Sequence, residues 1–193
     1  MADADPAPGS LPPTEGNELR WQLLGAEPAY RRFLTIESRQ FRMPGGRQTR
    51  WDILAGRPTV AVLALTEERR VVLARQFRPG PDLVLDELPG GIVDPGEDVA
   101  TAAARELLEE TGYAAGDVQV VGSTWLGGFS TIQRFAAIAR GCRRVASPSP
   151  EADELCQPVE VDLADFVAQV RAGSLTDQDA AYRCLDALGA LAP

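Results

Sequence analysis

A chain of 193 residues, 45% hydrophobic and 24% charged, is long enough for one domain with a core of ordinary size. All 19 basic residues are arginine, histidine is absent, and 28 acids set the formal net charge at −9. These features exclude Ser-His and Cys-His catalysis, histidine-ligated zinc, Schiff-base lysines and the P-loop lysine, and they argue against a nucleic-acid partner, which needs a basic footprint.

Residues 1–17 are rich in Pro, Gly, Ala and acids and carry neither the basic nor the apolar region of a secretory signal, so they read as a disordered tail. Residues 18–56 read as a small antiparallel β element: a strand from Tyr30 to Met43, a turn at Pro44–Gly46, and a return strand in "TRWDIL". In residues 57–193, "TVAVLAL" (59–65) and "VVLARQF" (71–77) flank a polar "TEERR" as a hairpin, and "LVLDEL" (83–88) is a further strand. "PGGIVDPGED" (89–98) reads as a long loop. The segment 99–111 reads as a helix, with Asp98 at the N-cap and Gly112 as the stop. Strands at 118–126 and 134–140, a loop at 143–154, a strand around 156–161 and helices at 163–171 and 177–188 complete the chain. The order indicates an α+β fold, an α/β/α sandwich around a mixed sheet. No apolar run reaches the ~20 residues of a membrane span. Three widely spaced cysteines (Cys142, Cys156, Cys184) without a C-x-x-C pair read as the free thiols of a cytoplasmic protein.

Charge is unevenly placed. Residues 20–50 hold seven arginines against Glu27 and Glu37, whereas residues 86–117 hold nine acids against Arg105 alone. An acidic centre beside a basic flank suits a divalent cation and an anionic ligand held together, or simple pairing of two faces of the fold. Within the predicted helix, Glu106 and Glu110 lie one turn apart with Glu109 beside them. On that wheel Ala102 and Ala103 lie under the acidic face, while Ala100, Ala104, Leu107, Leu108 and Thr111 pack on the sheet. Taken alone, such a face is a solvated one. The glycine-rich loop in front, ending in Glu97, adds the carbonyl and carboxylate oxygens that a hard cation takes.

Gly91, Glu97, Arg105-Glu106, Leu107, Glu109-Glu110 and Gly112 fall at the spacing of the Nudix signature, and the sequence is identified by it as resembling that family. The last signature position, usually aliphatic, holds Tyr113. Beyond it, "FRMPGGRQTRWDIL", "VAVLAL", "RQFRPG", "DELPGGIVDPGED", "GGFS" and "AGSLTDQDAAYRCLDAL" resemble the ADP-ribose pyrophosphatase branch over nearly everything after residue 20.

The resemblance implies a Nudix fold with a mixed β-sheet and Mg²⁺-dependent hydrolysis, with Mn²⁺ as a substitute. The substrate it implies is a nucleoside diphosphate linked to another group, such as ADP-ribose or a related nucleotide sugar. Glu106, Glu110 and Glu109 are the implied metal ligands, with the Gly90 carbonyl as a further one; Glu97 binds a second metal through water or braces Arg105. Arg78 and then Arg75 are the candidates for the phosphates, and Glu151 and Glu154 for activating water. Phe129, Trp21, Trp51 and Trp125 are candidates to stack on a base. Related sequences often carry an acid near Ile132, so this apolar side chain bears on the group beyond the diphosphate rather than on hydrolysis. The branch commonly forms homodimers by exchanging the N-terminal sheet, a role that suits the arginine-rich 20–50 segment. Two other readings are a nucleoside triphosphate pyrophosphatase, against which the N-terminal sheet argues, and a non-catalytic nucleotide-sensing Nudix domain, against which the intact glutamate set argues.

Overall fold

The computed structural model describes residues 18–149 and 155–191. The expected tail at 1–17 and the candidates Glu151 and Glu154 lie outside the described residues. In chain order the elements are β1 (Gln22–Arg31), β2 (Thr35–Arg42), β3 (Gln48–Ala55), β4 (Thr59–Thr66), β5 (Arg70–Arg78), β6 (Leu83–Glu87) and β7 (Gly90–Ile92). Helix α1 (Val99–Thr111) follows, then β8 (Tyr113–Ala114), β9 (Asp117–Trp125), β10 (Gln133–Arg144), β11 (Gln157–Asp162), α2 (Leu163–Ala172) and α3 (Gln178–Ala187).

The central strand β4 is apolar along its length because both of its faces are covered. Val60, Val62 and Ala64 point to one side and pack with Ala102, Ala103 and Leu107 of α1. Ala61, Leu63 and Leu65 point to the other and pack with Phe166 and Val170 of α2 and Ala181 and Leu185 of α3. These two cores make the expected α/β/α sandwich. The sheet is mixed and runs β11-β5-β4-β10-β8, with β6 on β5, β7 on β4 and β9 on β10. Among the described strands of this sheet β4 and β10 are the pair that runs in parallel, Val60 facing Phe135 and Leu63 facing Ile138. The 59–65/71–77 hairpin is shorter than its sequence suggests, two residue pairs deep at Ala64–Val72 and Leu65–Val71, because β5 then parts from β4 and pairs with β6 over Ala74–Arg78.

The N-terminal element is a separate three-stranded sheet in the order β1-β2-β3. The single strand expected over Tyr30–Met43 is instead the end of β1, a turn at Arg32–Leu34 and β2. Trp21 packs edge-on against Phe41 and Trp51 at centroid separations of 6.0 and 5.9 Å. This sheet is joined to the main domain through the end of β3. Leu54 N–H donates to the Phe129 carbonyl at 2.9 Å, Thr131 N–H to the Leu54 carbonyl at 3.0 Å, and Gly56 N–H to Thr131 Oγ1 at 3.2 Å.

Candidate active site

Helix α1 has the boundaries its caps dictate. Asp98, in extended backbone, accepts from Ala100 N–H (3.0 Å) and Thr101 N–H (3.3 Å). Gly112 ends the helix at φ 76°, and a Cβ there would lie 2.3 Å from the Ala146 carbonyl oxygen, so only glycine serves. The face assignment from the helical wheel is corrected: Ala102, Ala103, Leu107, Thr111 and Glu110 are buried, while Leu108 is exposed and Ala100 and Ala104 are only partly covered. The reason is that Ala102, Ala103 and Leu107 pack on Val60, Val62 and Ala64 of β4, and Glu110, on the same face, is accommodated there because its Oε2 accepts the Gly90 N–H at 2.9 Å.

In front of the helix, β7 pairs with β4 through Gly90–Ala61 and Gly91–Val60. A Cβ on Gly90 would lie 2.1 Å from the Val60 carbonyl oxygen, so the backbones touch there. A Cβ on Gly91 would lie 2.4 Å from Glu106 Oε1, so the Glu106 carboxylate rests directly on the Gly91 backbone. The turn after β7 is closed by Glu97, whose Oε2 accepts the Asp94 N–H at 3.0 Å.

Arg105 ties loop to helix. Its Nε and Nη2 meet the two oxygens of Glu97 at 3.0 Å each, and Nη2 also donates to the Ile92 carbonyl at 3.0 Å. Its Nη1 donates to Glu106 Oε1 (2.8 Å) and Glu109 Oε2 (3.1 Å). The Glu97 contact above all holds the Arg105 charge firmly in place, raising its pKa, and Arg105 in turn lowers that of Glu97. Glu97 thus makes the Arg105 contact on which one of the two roles read for it depends. This guanidinium also relieves the repulsion among the clustered glutamates. The four carboxylates differ in exposure: Glu110 is buried, Glu97 and Glu106 are mostly shielded, and Glu109 is the most open. Among the described residues no three aspartate, glutamate or cysteine side chains converge on one point at ligand spacing, since Arg105 draws Glu106 and Glu109 toward itself.

Beside this unit opens a cleft of about 390 Å³. Its lining comes from β4 (Thr59, Val60), β7 (Gly90, Gly91), the end of β5 (Arg78, with Pro79–Pro81), the start of β10 (Arg134), the α2–α3 connection (Thr176, Asp177) and the β1–β2 turn (Phe33). Arg78, the first candidate for the phosphates, lines this cleft. Its Nε contacts the fully buried Glu87, whose other oxygen accepts the Thr176 N–H at 2.7 Å. Burial works against the Arg78 charge, but Glu87, with Asp177 and Glu110 nearby, outweighs it and raises the pKa.

Five other candidates do not line the cleft. Arg75 is held two-pronged by Asp86, its cross-strand partner on β6, at 2.6 and 2.8 Å, and lines a different depression with Phe77 and Cys156. Phe129 spends its backbone on β3 and lays its ring over Gly127, and is not among the cleft residues. Trp125 lines a third depression with Gly127 and Gly128, and Trp21 and Trp51 belong to the N-terminal sheet. Ile132 packs on Gly56, at the junction between that sheet and the main domain, rather than in the cleft. Tyr113, the departure from the signature, donates its hydroxyl to Glu160 and is buried for structural reasons. The residues missed from sequence are Glu87, Arg134, Thr176 and Asp177. The acid inside the apolar strand "LVLDEL" was the available signal for Glu87; the others depend on elements remote in the chain.

The acidic helix and the arginine-bearing cleft meet at Gly90–Gly91, and comparison with known proteins says what kind of site this is. The NUDIX domain model matches residues 55–178. ADP-ribose pyrophosphatase of Bacillus subtilis is 30% identical over 143 residues, covering 72% of this chain and 77% of that protein. CMP-5'-(N-acetyl-N-hydroxy-3-aminopropyl)phosphonate hydrolase of Streptomyces rubellomurinus is 31% identical over 160 residues, covering 82% of this chain and 77% of that one. A crystal structure of an ADP compounds hydrolase superposes with a TM-score of 0.72 at 21% identity, covering 89% of this chain and 97% of its own, a likeness of fold. With its signature residues on a loop–helix unit and its fold shared, the chain belongs to the Nudix family.

Proposed function

We propose that this protein hydrolyses the diphosphate linkage of ADP-ribose or a related nucleotide sugar, giving a nucleoside monophosphate and a sugar phosphate. One observation carries the reading: Gly90 and Gly91 line the cleft that holds Arg78, and the same two residues carry the carboxylates of Glu110 and Glu106. An anionic diphosphate in the cleft thus lies beside a carboxylate cluster. The named activities of the B. subtilis and S. rubellomurinus relatives support a substrate in which a nucleotide is joined through phosphorus to another group.

The donor set fits a hard divalent cation. The proposed donors, Glu106, Glu109, Glu110 and the Gly90 carbonyl, are all oxygens, the Cys156 thiol standing 3.9 Å from Glu110 Oε1 beside them. Mg²⁺, or Mn²⁺ in its place, would be held by these residues, and when bound it neutralises the diphosphate and activates water for attack. The chain's own groups do the rest. Arg78 is fixed by Glu87 to meet the non-bridging phosphate oxygens as a fork rather than a mobile charge. Gly90 N–H orients Glu110. Arg105 and Glu97 set the loop against the helix. Glu151 and Glu154 are proposed to activate water.

We further propose a homodimer formed through the N-terminal sheet. Leu23, Tyr30, Leu34 and Trp51 of that sheet are all about half exposed, a patch that a second copy would cover. Light scattering tests it: a monomer at working concentration would refute the dimer. The activity is tested by incubating the protein with Mg²⁺ and a panel of ADP-ribose, other nucleotide sugars, dinucleotides and nucleoside triphosphates. Cleavage of ADP-ribose or another nucleotide sugar ahead of triphosphates is expected. Failure to cleave any of them with Mg²⁺ or Mn²⁺ would overturn the proposal.

A further inference from the structure

Arg78 is not the only arginine on the cleft wall. Arg134, the second residue of β10, lines the same cleft and is built in the same way. Its Nε faces Asp177 Oδ1 at 3.4 Å, and its Nη1 donates to Asp179 Oδ1 at 2.8 Å and to the Thr176 carbonyl at 3.4 Å. Asp179 is fixed in turn by the Thr124 hydroxyl. Arg134 is only 18% exposed, and Asp177 only 16%. These contacts use Nε and Nη1; among the described residues none is made by Nη2. A guanidinium held through Nε and Nη1 in this way keeps the two N–H groups of Nη2 for a ligand at little cost in side-chain entropy.

We propose that Arg134 is a second anion-binding residue of this cleft, acting with Arg78 on the diphosphate, and that Asp177 and Asp179 are positioning residues that hold its guanidinium toward the substrate. The substrate class rests on the hydrolase reading above; the construction of the site does not.

A purely structural alternative is that the cluster only pins the start of α3 to the sheet. Two features favour a ligand role. The two arginines occupy one cleft. Each leans on an acid tied to the α2–α3 connection: Arg78 on Glu87, which accepts Thr176 N–H, and Arg134 on Asp177 itself.

The test is direct binding of α,β-methylene-ADP, an uncleavable nucleoside diphosphate, by calorimetry with Mg²⁺ present, alongside thermal melting. R134Q is expected to bind about ten- to a hundredfold more weakly, the cost of a lost charge-assisted hydrogen bond. D179N, which loosens the guanidinium without removing it, is expected to lose several-fold while melting close to wild type. R134Q binding within twofold of wild type overturns the proposal. If R134Q does not fold, R134K decides: it keeps the charge but not the fork, and unchanged affinity in it is equally contrary. Wild-type protein that fails to bind the analogue also overturns the proposal. Protein that binds it through Arg134 yet cleaves no diphosphate leaves this assignment standing and removes the hydrolase reading instead.

Discussion

Adjacent glycines at the floor of the cleft give the sharpest test of how geometry serves function. Gly91 adopts an ordinary strand conformation, so alanine is acceptable to its backbone. The added Cβ would stand 2.4 Å from Glu106 Oε1 and 2.6 Å from its Cδ, where ordinary contact begins at 3.4 Å. The carboxylate must therefore retreat by about 1 Å, and it is the far end of a flexible side chain, so the strain is about 0.5–1.5 kcal/mol. A catalytic group misplaced by ~1 Å loses about a hundredfold in rate. Gly91→Ala should thus fold nearly as well as wild type and lose about two orders of magnitude in kcat/KM. Gly90→Ala meets backbone instead, 2.1 Å from the Val60 carbonyl oxygen and 2.9 Å from Ala61 Cα. It must push apart a central strand pair, costing ~1–3 kcal/mol or more and lowering Tm by ~2–4 °C for each. Thermal melts and steady-state kinetics on both variants separate the two effects. Wild-type kcat/KM in Gly91→Ala, or a larger loss of stability there than in Gly90→Ala, would refute the placement of Glu106 on the loop.

The two sequence-derived arginines should part company: Arg78→Ala is expected to lower kcat/KM by about 10²–10³, whereas Arg75→Ala, which breaks only the Asp86 pair, stays near wild type. Equal losses would show that the cleft is not the phosphate site. The Arg105 contact holds the Glu97 carboxyl below its ordinary 4.5, so its stabilisation is present above that pH and is lost as pH falls through the lowered value. Melting curves from pH 7 to 3 should show wild type above Glu97→Gln at neutrality, with the gap closing as pH falls below the ordinary 4.5; a constant gap contradicts the pairing. Burial pushes the Cys142 thiol up to about 11 and the Cys184 thiol up to about 12, so a disulfide reagent at pH 8 should modify Cys156 alone in the folded protein and all three in denaturant. Rapid modification of two or three thiols in the native state would contradict the packing.

How far the sequence disclosed this site depended on whether each signal was local. Helix α1 has the range its caps announce because Asp98 and Gly112 act on their own neighbours. The loop–helix unit was legible for the same reason, with Gly91, Glu97, Arg105 and the glutamates at fixed distances along one stretch. The face of α1 was misjudged because the wheel treats every carboxylate as solvated, and burial of Glu110 depends on a Gly90 N–H twenty residues away. Strand β1 was missed since nearly all its residues are exposed, leaving no alternation to read, and Gly25 and Pro28 interrupt it. Arg75 and Arg78 look alike in "ARQFRPG"; only the partners Asp86 and Glu87, brought alongside by β6, tell them apart. Arg134 and Asp177 stand 43 positions apart in the numbering and meet only once β10 and α3 pack together.

The central claim is that the Gly90–Gly91 loop, the glutamate helix and the Arg78 cleft together cleave a diphosphate. Its most direct test is phosphorus NMR of ADP-ribose incubated with the protein and Mg²⁺. The account predicts loss of the diphosphate resonances and appearance of AMP and ribose 5-phosphate, with both processes halted by chelator. Intact ADP-ribose after exhaustive incubation, or cleavage undiminished by chelator, would contradict it.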